Sequence, residues 1–461
     1  MSLICGAAMI PELYESVKLA NGTCLNDTDS QSHPDPTIIA RSGHSISRKN
    51  ISTNALKVLN RLGNAGYQAF LVGGGVRDLL LKTNPKDFDI VTDARPEEIR
   101  LLFRNSRLIG RRFRLAHIHF GREIIEVATF RAAVTHEHQN RRQADSGLIL
   151  QDNVYGSIDE DIWRRDFTVN ALYYNIADFT VWDYTSGMED ITKRRLRLIG
   201  NPETRYREDP VRMLRAARFA AKLDFEIAKD SAIPIRKLGK LLRDVPPARL
   251  FDETLKLFHT GHALRSLELL IEYDLLSYLW PHTAELLCRD LEGSVLKFLQ
   301  LGLANTDRRI KEKKPVTPMF LYAVLLWHPI CERATEIVKK RKATEIEALL
   351  DACEEIVTEQ QNYTSYPKRF STPMKDMLVM QRRFGRRRGM RGLRLLSHKR
   401  FRAAYDFLLL RTQCGEEDKE LADWWTEVQV MSVRDQRKVF GVKRSPRGSR
   451  TSADPGTGAA R

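Results

Sequence analysis

The chain is 461 residues long, 42% hydrophobic and 29% charged, with 75 Lys and Arg against 59 Asp and Glu and a formal net charge of +16. That length exceeds one compact core and that apolar content builds packed domains, which excludes a wholly disordered chain, while the basic excess is the footprint of a protein that meets a polyanion. Cys5, Cys24, Cys288, Cys331, Cys353 and Cys414 include no CxxC pair, which argues against a disulfide framework or a cysteine-built zinc site; no apolar run approaches the ~18 residues of a membrane span, and MSLICGAAMIPELYE lacks a basic leader, so a cytoplasmic location is expected.

In chain order, residues 1–47 are rich in Ser, Asn, Asp, Gly and Pro and are expected to form an unstructured arm. Ile51, Ala55, Val58, Leu59 and Leu62 recur at helical spacing up to Gly63 and Gly66. YQAFLVGG then reads as a buried strand, followed by a glycine turn, a short helix VRDLLLK, a strand at FDIVT and a helix at PEEIRLLFRN. AHIHF and EIIEVATF, separated by Gly121 and Arg122, read as a hairpin. Residues 132–152 show no period and read as a mobile loop, whereas the chain from Tyr206 onward is helical in pattern. The end, including VKRSPRGSRTSADPGTGAAR, is a basic low-complexity tail.

Asp87 and Asp89 stand two apart in KDFDI, the spacing that puts strand side chains on one face. Two converging carboxylates repel and are relieved by a divalent cation, the ligand set a phosphoryl-transfer site needs. Upstream, Gly73, Gly74 and Gly75 lie between strand and helix, where backbone N–H groups approach phosphates, with Arg77 at the helix start. The segment is neither a Walker A loop nor a dinucleotide fingerprint. In YREDPVRMLRAARF, Asp209 and Pro210 form a helix start and Arg212 lies three residues on. A carboxylate beside a guanidinium complements the amine and ring nitrogen of adenine or of cytosine, and rejects guanine and uracil. Arg382, Arg383, Arg386, Arg387, Arg388, Arg391 and Arg394, interleaved with Phe384 and Phe401, fit phosphate contact with base stacking. His117 and His119 read as ordinary strand residues, His136 and His138 as loop residues, and Trp424 and Trp425 as packing.

GG-x-VRD, KD-x-D, RRDFTVNALYYN at 164–175 and the EDxxR block at 206–219 occur in the order found in the polymerase-β-like nucleotidyltransferases. The sequence resembles the group of that family containing the bacterial poly(A) polymerases and the CCA-adding enzymes. The resemblance implies an α+β chain with a nucleotidyltransferase head, a small mixed sheet with flanking helices, at 48–185. It implies a helical neck for base recognition at 186–265, a helical body and tail that bind RNA at 266–430, and a disordered tail at 431–461. Catalytic roles fall on Asp87, Asp89 and a third carboxylate, either Asp166 of the RRDFT element or Glu126 on IIEVATF as a metal ligand. Gly73, Gly74, Arg77, Arg165, Asp209 and Arg212 would bind the nucleotide, with Arg164 near phosphate or ribose. Arg382, Arg383, Arg386, Arg387 and Arg388 would bind RNA. Two Mg²⁺ ions, ATP as substrate, RNA 3′ ends as acceptors, RNA-degradation factors or an RNA chaperone as partners, and a monomeric state complete the expectation. LIGRRFRLAHI, PPARLFDETLKLF and FRAAYDFLLLR resemble the poly(A) branch, which favours adenylate addition; CCA addition to tRNA and an idle RNA-binding protein are the alternatives.

Overall fold

The computed structural model describes residues 35–110, 114–132, 141–143, 149–152 and 154–442. The chain divides into two compact units: residues up to 289 with 306–315 and 361–365, and residues 290–305, 316–360 and 366 onward. The expected limit between head and neck at 185 falls inside the first unit.

The first unit is built on a mixed sheet. Its strands are β1 (Thr37–Ile39), β2 (Ala69–Val72), β3 (Asp89–Thr92), β4 (Ser106–Ile109), β5 (Leu115–Phe120) and β6 (Glu123–Thr129). β7 (Arg141–Gln143) and β8 (Ile149–Asp152) form a separate hairpin, and β9 (Leu172–Asn175) with β10 (Val181–Asp183) completes the sheet. The order is β1-β10-β9-β2-β3-β6-β5-β4, and every pairing is antiparallel except β3 with β6. The central strands are apolar because both faces are covered. Phe70, Val72, Val91 and Tyr173 pack on Phe130, Ile158 and Ile162 on one side. The helix Thr53–Asn64, capped by Ser52 accepting from the Asn54 and Ala55 amides, packs against β2, β3 and β6.

Register fixes one functional row. Asp89 stands opposite Val72 on β2 and Glu126 on β6, and Glu126 stands opposite His117 on β5. Registered residues share a face, so His117, Glu126 and Asp89 form a cross-strand line. Beyond β2 the chain turns at Gly73, whose φ of 72° is open to glycine at no steric cost, into the helix Gly74–Leu80.

Further helices of this unit include Pro202–Glu208, Val211–Leu223, Lys229–Leu238, Pro247–Phe258 and Ala263–Glu272; Val211–Leu223 packs on the last two. In the second unit Glu345–Gln360 and Lys368–Gln381 pack on the long helix Pro318–Arg341. Phe401–Cys414 packs on Lys368–Gln381, and Lys419–Val430 on Phe401–Cys414. Among the described residues no helix is long and apolar enough to cross a membrane.

Three expectations of irregular chain are corrected. Within the expected arm, Thr37–Ile39 pairs with β10 as an edge strand, so the sheet takes up one side of its backbone despite a polar flank. Within the expected loop at 132–152, β7 and β8 pair. After residue 431 the helix Val433–Val439 forms, capped by Ser432. Residues 1–34, 111–113, 133–140 with His136 and His138, 144–148, 153 and 443–461 lie outside the described residues.

Candidate active site

The first unit holds a cavity of about 680 Å³ at the C-terminal side of β2. It is walled by eleven Lys and Arg side chains against five aspartates: Asp78, Asp87, Asp89, Asp166 and Asp209. Gly73, Gly74 and Gly75 form part of its lining, as expected of a backbone that approaches phosphate. Such a balance suits a ligand with several negative charges.

Asp87 and Asp89 both line the cavity, though not by strand alternation. β3 begins at Asp89, and Asp87 lies ahead of it in the connection from the Gly74–Leu80 helix. The connection folds against that helix so closely that a Cβ on Gly75 would lie 3.3 Å from the Asp87 carbonyl oxygen. The Asp89 carboxyl is pushed up to about 6, by burial first and then by Glu126, with Asp87 adding to the push and Arg165 opposing it. Hard oxygen donors crowded until one resists ionising are the kind of set a divalent cation relieves, so Asp87 and Asp89 fit that role.

The third carboxylate is resolved into two different environments. Glu126 keeps its register beside Asp89, and its Oε1 lies 3.2 Å from His117 Nε2. Asp166 lines the cavity but accepts from Arg212 Nε at 3.0 Å and from Arg215 Nη2 at 2.6 Å. Burial disfavours its charge, yet Arg215 and Arg212 outweigh that and hold the carboxyl below its usual range. Among the described residues no three acidic, histidine or cysteine side chains converge as a metal cluster.

The arginines are held by acids. Arg77 is 1% exposed and donates to Asp78 Oδ1 at 2.9 and 2.5 Å and to Asn170 Oδ1 at 2.5 Å. Arg165 lies 2.9 Å from Asp161 Oδ2. Arg205 donates to the carbonyls of Arg164 and Arg165 at 3.0 and 2.8 Å, tying the Pro202–Glu208 helix to the RRDF segment.

Asp209 and Arg212 meet the same wall, in a geometry different from the expected one. The helix starts at Val211 with Pro210 as its N-cap, while Asp209 is the C-cap of the preceding helix and its Oδ2 accepts from Arg249 Nη2 at 2.7 Å. Asp209 Oδ1 is buried with no partner among the described residues. Arg212 Nε is taken by Asp166, and Nη1 by the Arg205 carbonyl at 2.7 Å and Glu208 at 2.9 Å. Its Nη2 has no partner among the described residues. One acceptor and one donor therefore remain at the cavity wall.

Several wall residues escaped the sequence reading. Arg215, Arg218 and Lys222 continue from Arg212 along one stripe of Val211–Leu223, a 3-4 spacing legible in advance. Arg249 carries no local signal; it is forty residues from Asp209 and reaches it through packing of Pro247–Phe258 on Val211–Leu223.

In the second unit, Gly385, Arg386, Arg387, Arg388 and Arg391 line a cavity of about 560 Å³. Arg382 is 3.7 Å from Glu345 and Arg387 is 2.7 Å from Glu420, while Arg383, Arg386 and Arg388 are exposed. The expected stacking aromatics are core instead: Phe384 is fully buried, and it packs with Phe401 and Trp425, as the tryptophan reading anticipated for Trp425. Apolar rings on a turn between two helices gain more from burial than from exposure.

Residues 69–197 match the family model described as Poly A polymerase head domain. Residues 224–287 match Probable RNA and SrmB-binding site of polymerase A, and residues 341–454 match Polymerase A arginine-rich C-terminus. Poly(A) polymerase I of Escherichia coli is 48% identical over 412 residues, which span 88% of this chain and 89% of that one. The CCA-adding enzyme of Lactobacillus helveticus is 35% identical over 221 residues, covering 48% of this chain and 53% of that one. A solved tRNA-processing enzyme in an apo form superposes with a TM-score of 0.56 at 21% identity, over 83% of this chain and 99% of that one, which is a likeness of fold.

Proposed function

The chain belongs to the poly(A) polymerase I family of nucleotidyltransferases, and from that premise we propose that it adds AMP from ATP, without a template, to RNA 3′ ends, in the cytoplasm and in support of RNA turnover. The observation that carries the reading is the pair left at the cavity wall: the buried, unpartnered Asp209 Oδ1 beside Arg212, within reach of the Asp87–Asp89 carboxylates across one basic cavity.

The 3′-hydroxyl oxygen attacks the α-phosphorus of ATP as its proton passes to solvent, a new P–O ester bond forms, the bond to the β-phosphate oxygen breaks, and pyrophosphate leaves. Asp87 and Asp89 would hold divalent cations, which when bound acidify the hydroxyl and neutralise the leaving group. Arg77 and Arg165, fixed by buried acids, bind the triphosphate without reorganising during the reaction. Asp209 Oδ1 accepts from the adenine amine and Arg212 Nη2 donates to the neighbouring ring nitrogen. Asp166 holds Arg212 and Arg215 in place for that contact. The exposed arginines of the second unit hold the RNA backbone.

Cytosine presents the same amine and ring-nitrogen pattern, so CCA addition is the competing specificity. A gel assay with Mg²⁺, a generic labelled RNA and a tRNA lacking its 3′ end separates them. A long ladder from ATP alone on both RNAs is expected. Addition limited to a few nucleotides, dependent on CTP and confined to the tRNA, would overturn the adenylate assignment and leave the chemistry standing.

A further inference from the structure

We infer that Asp161 and Tyr173 are positioning residues of the transfer reaction, holding the Arg165 guanidinium beside Asp89. Tyr173 lies in the RRDFTVNALYYN block and Asp161 just ahead of it, but the sequence assigns neither a role in the reaction. The inference rests on the proposed role of Arg165 at phosphate.

Arg165 borders two cavities. One is the large basic cavity; the other, of about 250 Å³, lies over the sheet face and shares Asp89, Arg131, Arg164 and Arg165 with the first. A group at that place meets whatever bridges the two spaces at Asp89. Arg165 cannot hold it unaided, because Arg131 and Arg164 line the same walls and like charges in a partly dry site repel. The counter-charge is Asp161, 7% exposed, at the end of the Ile158–Ile162 helix. Its Oδ2 accepts from Arg165 Nε at 3.2 Å, Arg165 Nη2 at 2.9 Å and the Tyr173 hydroxyl at 2.7 Å. Its Oδ1 accepts from the Arg131 amide at 3.3 Å.

Tyr173 comes from the sheet. It is registered opposite Val72, which is opposite Asp89, so the phenol rises from the same face as the Asp89 carboxylate, two strands away. It is fully buried, accepts from Arg165 Nε at 2.6 Å, and places its ring 4.9 Å from the guanidinium carbon. One hydroxyl thus receives from the arginine and donates to the aspartate, closing a three-membered network in which each geometry fixes the others. These bonds use Nε and Nη2, and Nη1 has no partner among the described residues, which leaves it for an anion. The arrangement is of the pre-organised kind: the guanidinium stays aimed before substrate arrives.

The test uses Arg165→Ala, Tyr173→Phe and the double variant, in the full chain with Mg²⁺, ATP and a generic RNA. Tyr173→Phe keeps the ring and its packing while deleting the bridging hydroxyl. It is expected to lower kcat roughly tenfold with little change in the ATP KM. Arg165→Ala is expected to lose at least as much, and sub-denaturing guanidinium chloride is expected to restore part of its turnover, because the Asp161–Tyr173 cradle still receives a guanidinium. In Arg165→Ala/Tyr173→Phe that rescue is expected to vanish. Rescue undiminished in the double variant, or Tyr173→Phe that lowers the melting temperature with kcat unaltered, overturns the positioning role. Wild-type turnover in Arg165→Ala would instead overturn the reading of Arg165 on which the inference stands.

Discussion

Arginine serves two regions of this molecule in opposite ways. Around the large basic cavity Arg77 and Arg212 are 1% and 7% exposed, and acids hold them at fixed distances. Between Arg382 and Arg391 the same residue stands out on a turn and a short helix, and its pairs with Glu345 and Glu420 are at the surface. A buried, hydrogen-bonded guanidinium is a fixed coordinate, able to distinguish one base or one transition state from another. An exposed one is a mobile charge, whose contribution is affinity for any phosphate chain and falls with salt. The difference teaches that net charge alone reports contact with a polyanion, whereas the acids beside each arginine report what that arginine is for.

The strongest test of the cavity removes its carboxylates. Asp87→Ala should reduce incorporation by on the order of 10³-fold or more while the protein stays folded, because Asp87 lies in a connection outside the sheet ladder. Near-normal turnover, read by the same gel assay, would break the comparison at its base. Next in size is Arg212→Ala. It should relax the preference for ATP over CTP and cost about 3 kcal/mol of stability, since Asp166 and Glu208 lose a buried partner. A denaturant titration and a competition assay read the two effects separately; unchanged base preference would remove Arg212 from base reading.

Asp89 sharpens the comparison through pH. Its carboxyl rises from 3.8 to about 6 on folding, so the folded chain binds that proton more tightly than the unfolded one. The stabilising contribution is complete below the unfolded value and is lost as pH rises through about 6. At neutral pH without metal, Asp89→Asn should therefore be more stable than the parent, by up to ~3 kcal/mol, despite being inactive. Mg²⁺ should raise the melting temperature of the parent and leave that of the variant unmoved. Thermal scans at acid and neutral pH, with and without the cation, decide it: a variant less stable than the parent at neutral pH would refute crowding at this carboxylate.

Much of this was legible in the sequence for stated reasons. β2, β3, β5 and β6 are apolar runs, whereas β4, SRLI with alternating exposure, gives no such signal; the RRDFT and EDxxR blocks carry their chemistry in adjacent letters. What was not legible is non-local. Arg249 reaches Asp209 only because two helices pack, and Thr37–Ile39 becomes a strand only because β10 offers an edge. Asp87 and Asp89 border one cavity, but through a glycine-permitted close approach and not through the strand alternation their spacing implies. Phe384 misled because interleaving with arginines looks alike whether a ring stacks on bases or on Trp425.

The smallest expected effect belongs to the exposed cluster. Arg387 is engaged with Glu420, so Arg386, Arg388 and Arg391 are the side chains of that cavity best placed to meet phosphate. Each exposed contact released should lower the slope of log affinity against log salt by about one and weaken RNA binding uniformly across sequences. Arg386→Ala, Arg388→Ala and Arg391→Ala combined should therefore raise the KM for RNA several-fold at moderate salt and hardly at all at high salt. Turnover at saturating RNA and the preference for ATP over CTP should stay as they are, because the proposed function assigns those to the paired arginines of the other unit. A change in base preference would mean that the exposed arginines also help to specify the nucleotide, and the division between fixed and mobile guanidinium groups would fail.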